Sequence, residues 1–248
     1  MTEQLTILVL AGFIGGIVNA VAGGAKLFVF PLLLATGLSP VAANVTGTVA
    51  IWPAQIPALF VYRSQLRKEI RANMPSILTA AAGGIAGAIT LIISGEKIFV
   101  AVVPFLLIVA TATIGLGNHA RKLVPVGLHL NPNHPGSLLL LFSAAFYGGF
   151  FGAGLGFMLL AVFTLTVSDD AHRSNAEKNL YSVLINTAAA APLMLSGLVD
   201  WLSAGLVLVG GLAGGYTGAR VAIKLPKPLV RWVIVVFGIG LTLSFLLR

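Results

Sequence analysis

Residues 5–36 read LTILVLAGFIGGIVNAVAGGAKLFVFPLLLAT, with one formal charge, Lys26, placed two residues past the pair Gly23-Gly24. As a single helix the stretch would be about 48 Å long, well beyond a hydrocarbon core of about 30 Å. Residues 137–167 pose the same question and carry Gly152-Ala153-Gly154-Leu155-Gly156 at the corresponding place. Each stretch is either one long span or a glycine-broken pair of shorter pieces. That choice sets the orientation of everything downstream.

Charge placement supplies an independent criterion, because Lys and Arg collect in cytoplasmic loops. If both stretches turn back at their glycines, Arg63, Arg67, Lys68, Arg71, Arg121, Lys122, Arg173, Lys178, Arg220, Lys224, Lys227 and Arg231 fall inside, and only Lys97 and Arg248 outside. Lys26 then stays in the membrane. If both are single spans, the fourteen divide 7 to 7 and carry no orientation signal. The broken-helix reading is the one adopted.

The composition agrees with a membrane chain. Of 248 residues 58% are hydrophobic and 9% charged, where a soluble domain carries about a quarter charged. Uncharged runs at 4–25, 27–62, 72–95, 179–199 and 201–219 approach or exceed the roughly 20 residues a spanning helix needs. Apolar segments are expected at 5–22, 25–36, 40–62, 72–94, 98–117, 137–152, 156–167, 176–197, 201–223 and 229–247. Richness in Ala, Leu and Gly without dyad alternation selects helices over an outer-membrane barrel. The absence of Cys excludes disulfides, thiolate metal sites and a thiol nucleophile. The net charge of +8 reflects cytoplasmic loops rather than nucleic-acid binding, since no basic stripe with interleaved aromatics occurs. Ala20-Val21-Ala22 mimics a signal-peptidase site, but Thr2-Glu3-Gln4 lacks a basic n-region, so the first segment is expected to be retained.

The chain also repeats. A shift of 133 superimposes Gly15-Gly16 on Gly148-Gly149, Ala20 on Ala153, Gly23 on Gly156 and Ala43 on Ala176. A shift of 127 superimposes Gly83-Gly84-Ile85-Ala86-Gly87 on Gly210-Gly211-Leu212-Ala213-Gly214, and Thr90 on Thr217. Five segments per copy is an odd number, so the second copy should lie inverted. The expected fold is an all-α polytopic membrane protein of two inverted repeats, each of about five segments with glycine-broken or re-entrant helices. The first repeat occupies 1–117, a cytoplasmic linker 118–136 and the second repeat 137–248. Inverted repeats with broken helices are a transporter plan, with the site at the repeat interface near the midplane.

Lys26 is the leading candidate residue. An ammonium near the bilayer centre costs about 2.5–3.5 kcal/mol on insertion scales, so it needs a cavity, a partner or a substrate. It reads either as a counter-charge for an anion, beside the free N–H groups of a restarting half-helix, or as a lysine that snorkels to an interface or pairs with a carbonyl. Gly23, Gly24, Gly154 and Gly156, at the expected breaks, are candidates for a backbone-lined site. Gly12/Gly16, Gly83/Gly87, Gly210/Gly214 and Gly214/Gly218, spaced four apart, suit close helix packing. The glycines at 152–156 resemble a dinucleotide loop only superficially, having no βαβ context. Asn44, Thr46 and Thr48 in the first copy, and Asn175, Lys178, Asn179 and Asn186 in the second, are either oxyanion donors or interhelical hydrogen bonds. Pro53 and Pro57, flanking Gln55, should kink the third segment. His119, His129 and His134 are too irregularly spaced for a metal site. Asp169, Asp170 and His172 suit a solvated turn and helix cap better than acid–base catalysis.

Val18-Asn19-Ala20-Val21-Ala22-Gly23-Gly24, Phe30-Pro31, Val41-Ala42-Ala43-Asn44-Val45-Thr46 and Trp52-Pro53 together resemble the first half of the sulfite exporter TauE/SafE family. Gly148-Gly149, Gly152-Ala153-Gly154-Leu155-Gly156, Asn175-Ala176, Lys178-Asn179 and Val199-Asp200-Trp201 are similar to its second half, in order. The resemblance implies transport of small sulfur-containing anions across the prokaryotic cytoplasmic membrane, and adds Asn19 to the candidate binding positions. The chain departs from the family's pattern at Ala25, Lys26 and Gly47.

The expected function is a secondary transporter of a small anion, sulfite, an organosulfonate or a relative, working by alternating access. The alternatives are a passive anion channel or a membrane-embedded enzyme. The enzyme alternative lacks a His-Glu-x-x-His motif, and the acidic residues read as loop or segment-end groups. No P-loop is present, so the drive should be an ion gradient or the membrane potential. No cofactor or metal is expected. Expected partners are the anion and the lipid bilayer, with a homodimer admitted and nucleic acid excluded. The chain should be multi-pass in the inner membrane, with both termini extracytoplasmic.

Overall fold

The structure, a computed structural model, describes residues 2–22, 24–56, 72–123, 131–166, 171–221 and 227–247. Among these are nine α-helices and no strand: α1 (Thr2–Ala22), α2 (Lys26–Ala35), α3 (Pro40–Ile51), α4 (Met74–Leu123), α5 (Pro135–Phe150), α6 (Leu155–Thr166), α7 (Ala171–Leu195), α8 (Trp201–Val221) and α9 (Lys227–Leu246). A 3-10 turn, Trp52–Gln55, follows α3, with Pro53 at its start. It stands where the prolines were expected to kink the third segment; Pro57 lies outside the described residues.

Both long stretches break at their glycines. Helix α2 has 10 residues and α6 has 12, about 15 and 18 Å, roughly half the hydrocarbon core. Each half-helix folds back on its predecessor. Gly15 of α1 packs against Val29 of α2, and the Gln4 side chain donates to the Thr36 carbonyl at 3.4 Å, so the end of α2 returns beside the start of α1. In the second pair, Gly148 packs against the Leu155 side chain, in space that a Cβ would need. Gly152 and Gly154 hold φ of +78° and +74°, the left-handed region that glycine enters without strain. The Tyr147 hydroxyl donates to the Ala153 carbonyl at 2.7 Å across that turn.

The two segments expected at 72–94 and 98–117 fall within one continuous helical run of 50 residues, α4. It is not straight. Gly95 has φ +68°, and both the Gly84 carbonyl and the Leu106 carbonyl lie against the end of α5, at Gly149 and Tyr147. A straight helix would separate those carbonyls by about 33 Å, so the run folds back at Gly95. Beside this turn Glu96 accepts from the Ser39 hydroxyl at 3.0 Å. The helix then continues to Leu123, into the stretch expected to be linker.

Two glycine seams brace the helices. In one, Gly16 of α1 meets the Gly211 carbonyl and Gly215 amide of α8, Gly210 meets the Val9 carbonyl and Phe13 amide, and Gly214 meets the Phe13 carbonyl. In the other, Gly149 of α5 meets the Gly84 carbonyl and Ala88 amide of α4, Gly83 meets the Phe142 carbonyl and Phe146 amide, and Gly87 meets the Phe146 carbonyl. Adding 133 to the α1 residue and subtracting 127 from the α8 residue converts each of these contacts of the first seam into one of the second. Absence of a Cβ is what lets backbones approach this closely.

The polarity of the molecule is inverted relative to a soluble domain. Trp232, Val236, Ile239, Leu243 and Leu246 form an exposed stripe along α9, and Leu78, Ile85, Ile89 and Ile93 another on α4, whereas Lys26, Asn44, Thr46, Thr48 and Glu177 are buried. Apolar stripes of this extent suit lipid rather than water. At the centre, the Phe30 ring of α2 lies 6.2 Å from Phe99, 5.6 Å from Phe151 and 6.0 Å from Phe245, tying the first hairpin to α4, to the second break and to α9.

Candidate functional site

The two breaks open onto one cavity of about 210 Å³. Lys26 is the first residue of α2, and Gly156 lies in the first turn of α6; both line it. First-turn amides have no acceptor within their own helix, and the positive ends of both half-helices face the same space. A volume below the roughly 300–1,000 Å³ of drug-sized pockets restricts the occupant to a small molecule.

Lys26 is 7% exposed, and its ammonium does not reach an interface. Nζ donates to the Thr48 hydroxyl, which donates onward to the Asn44 carbonyl at 2.8 Å. It also stands 5.9 Å from the centroid of the Phe151 ring, within cation–π range. The hydroxyl engages one of its three donors. The cavity lies against the rest of the group.

Helix α7 supplies the opposite wall through Lys178, Asn179, Ser182, Val183 and Asn186. Those positions repeat at the spacing of one helical face. Asn186 donates to Gln55 Oε1 at 3.2 Å and to the Ser182 carbonyl at 2.9 Å. Trp52 Nε1 donates to the Thr187 hydroxyl at 2.8 Å, fixing the 3-10 turn, and with it Gln55, against α7. Asn19 of α1 completes the polar lining. None of the described lining residues is acidic. Glu177 is buried, but about 100° around the helix from Lys178 and not part of the wall.

Of the residues singled out in the sequence, Asn19, Lys26, Thr48, Gly156, Lys178, Asn179 and Asn186 come together at this cavity. Four others do not. Asn44 is fully buried and donates to the Phe150 carbonyl at 2.8 Å, capping the last residue of α5, whose carbonyl has no partner within the helix. Thr46 accepts from the Asp200 amide at 3.0 Å. Gly24 faces Ile114, Val18 and Ile234, and Gly154 lies against Ala110. Gly23 lies outside the described residues, as do Asp169 and Asp170, while His134 caps α5 by accepting from the Gly136 amide at 3.1 Å.

Lys178 corrects the loop count. Because α7 begins at Ala171 rather than near 176, this lysine stands about two turns into the helix and lines the cavity. The inside set falls to eleven, still against two. Gln55, Ser182 and Gly152 are further lining residues that the sequence reading did not place in the site.

A second cavity of about 200 Å³ adjoins the first. It shares Asn19, Ala25, Ile51 and Ala54 with it and is otherwise walled by the glycines of α1 and α8 with Ala50 and Val207. One chamber is therefore cationic and donor-rich, and its neighbour is largely backbone and alkyl.

No solved structure matches the chain. A probable membrane transporter protein of Haemophilus influenzae is 26% identical over 97% of this chain and 93% of its own length. The probable membrane transporter protein ORF9 of a Sinorhizobium species is 25% identical over 98% of this chain and 92% of its own. The probable membrane transporter protein YfcA of Escherichia coli K12 is 24% identical over 94% and 86%. The match to the sulfite exporter TauE/SafE family extends over residues 8–245, taking in both hairpins, both glycine seams and the whole cavity, and the chain belongs to that family.

Proposed function

We propose that this membrane transporter carries a small anion, of the sulfite or organosulfonate kind that the family's name indicates, by alternating access at the cavity between the two broken hairpins. One observation carries the reading. Two lysines and two half-helix N-termini line a small, largely buried space together with amides and hydroxyls, with no carboxylate among the described residues of its wall. Such a space stabilises negative charge and disfavours cations.

The architecture behind this proposal is ten segments in two inverted repeats, 1–117 and 137–248, with 118–136 between them on the cytoplasmic side. The correspondence of the two glycine seams under the shifts of 133 and 127 supports it. So do two clusters of contacts: Gln4 with Thr36, and Ser39 with Glu96, at one set of loops, and Ser76 with Pro132 and Asn133 at another. In the inverted topology the first set is extracytoplasmic, together with both termini, and the second cytoplasmic. The seams would serve as rigid braces while the hairpins, α3 and α7 change the side to which the cavity opens, a rocking of repeat against repeat. In an inner membrane held negative inside, each negative charge leaving the cell gains about 2.3 kcal/mol per 100 mV, which suffices to drive export without a coupled ion.

Purified protein in liposomes tests the reading. Saturable counterflow of labelled sulfite, accelerated by unlabelled sulfite on the opposite side, is the expected result. Flux that is linear in concentration and shows no trans-stimulation would establish the passive channel instead. Turnover of the anion into a new compound would establish the enzyme.

A further inference from the structure

The cavity holds more positive charge than a monoanion needs, and it holds it in a particular arrangement. Lys26 enters from the first half of the chain and Lys178 from the second, and among the described residues neither lysine is paired with a carboxylate. The remaining polar wall consists of neutral side chains: Asn19, Gln55, Asn179 and Asn186 with the hydroxyls of Thr48 and Ser182. Two unneutralised ammonium groups in one small space repel one another when it is empty, and each has lost hydration on entering the interior. A single negative charge compensates one of them. Two negative charges on one molecule compensate both.

From this we propose that the site selects a compact dianion over a monoanion of the same shape, and rejects zwitterions, with Lys178 as the residue that sets the charge preference. The inference rests on the anion-site reading above and adds the charge class of the occupant. The rejection follows from the same wall. An ammonium-bearing sulfonate would bring a third cation into a space whose described lining offers no carboxylate to receive it, and unpaired charge in the interior is costly. A doubly charged inorganic oxyanion satisfies the chemistry with both charges on one centre. A short organic molecule with a carboxylate at one end and a sulfonate at the other satisfies it with the charges apart.

The experiment is a binding series on the intact purified protein, read as ligand-induced thermal stabilisation. Sulfate and methanesulfonate form the decisive pair, both tetrahedral at sulfur but carrying two charges and one. Sulfoacetate tests separated charges, and taurine is the zwitterion. Sulfate should bind on the order of tenfold or more tighter than methanesulfonate, and taurine should not stabilise. Stabilisation by sulfoacetate as well as sulfate would show that the two lysines accept divided charge, and stabilisation by sulfate alone that they grip one centre; either supports the proposal. In Lys178→Met the sulfate-to-methanesulfonate ratio should collapse towards one, while Lys178→Arg should keep it. Equal affinities for the two anions in the wild type, taurine binding as well as sulfate, or a ratio unmoved in Lys178→Met would overturn the proposal while leaving an anion site standing. Failure of every anion to stabilise the protein, with no counterflow of sulfite, would remove the parent reading instead.

Discussion

Gly214 and Gly215 are adjacent in α8, yet the structure assigns them opposite sensitivities. A methyl group at Gly214 would sit 2.7 Å from the carbonyl carbon of Phe13 and closer still to its oxygen, about 1 Å inside the roughly 3.5–4.0 Å at which two carbons rest. The obstacle is backbone, so no rotamer change relieves it, and α1 and α8 must separate by about that distance. Overpacking of this kind costs about 1–3 kcal/mol. A methyl at Gly215 would meet nothing within 4 Å, and Gly to Ala inside a helix gains roughly 0.5–1 kcal/mol from reduced chain entropy. Gly214→Ala should therefore unfold several degrees below wild type, and Gly215→Ala at or above it. The seam correspondence extends the test to the other half of the chain. At Gly87 the methyl would lie 2.9 Å from the Phe146 carbonyl carbon, so Gly87→Ala should lose about as much as Gly214→Ala. Thermal unfolding of the four proteins in one detergent decides the matter. Equal stabilities for Gly214→Ala and Gly215→Ala would refute the packing argument, and a neutral Gly87→Ala would refute the equivalence of the seams.

Three further outcomes are expected. Lys26→Met should weaken anion binding by about ten- to a hundredfold, measured by thermal shift with sulfite, while the ligand-free protein is as stable as wild type or more so, because a buried charge with one neutral partner is removed. Gly215→Leu should fill the second cavity without a backbone clash; sulfite binding should persist while counterflow in liposomes falls, whereas undiminished flux would exclude that cavity from the route. Asp200 caps α8, accepting from the Ser203 amide at 2.7 Å, so Asp200→Ala should cost about 0.5–2 kcal/mol in denaturation experiments and leave anion affinity unchanged.

Much of the architecture was legible because a bilayer imposes length and charge rules on every segment. Hydropathy placed apolar segments where the described helices lie, and charge placement, rather than length, favoured a break in the roughly 48 Å stretch containing Gly23-Gly24. The repeat that the shifts of 133 and 127 revealed reappears as two matching sets of backbone contacts. The turn at Gly95 is where the sequence put a gap between two segments, but helical hydrogen bonding closes around it, and only its positive φ and the contacts of Gly84 and Leu106 expose the reversal. Site residues were less legible, since composition identifies polar groups without giving the direction each side chain takes. Asn44, Thr46 and Thr48 read alike, as oxyanion donors or as interhelical hydrogen bonds. Rotation along α3 turns Thr48 towards Lys26, while Asn44 serves a helix end and Thr46 receives the Asp200 amide. Lys178 counts both as an inside charge in the topology tally and as a polar candidate beside Asn179 and Asn186, and the start of α7 at Ala171 decides for the second. The spacing of Lys178, Asn179, Ser182, Val183 and Asn186 on one helical face carried the missing signal. Gln55 had none, because its position depends on the 3-10 turn pinned by Trp52 and Thr187.

The central claim is that two glycine-broken hairpins enter from opposite faces and meet at the two-lysine cavity. The native chain has no cysteine, so single cysteines at Gln4, Ser39, Asn133 and Asp169 report their own exposure cleanly. A membrane-impermeant thiol reagent applied to intact cells should label Gln4→Cys and Ser39→Cys, and should reach Asn133→Cys and Asp169→Cys only after permeabilisation. Labelling that placed Gln4 and Ser39 on opposite sides, or Asn133 and Asp169 on opposite sides, would show a full crossing where the account requires a hairpin.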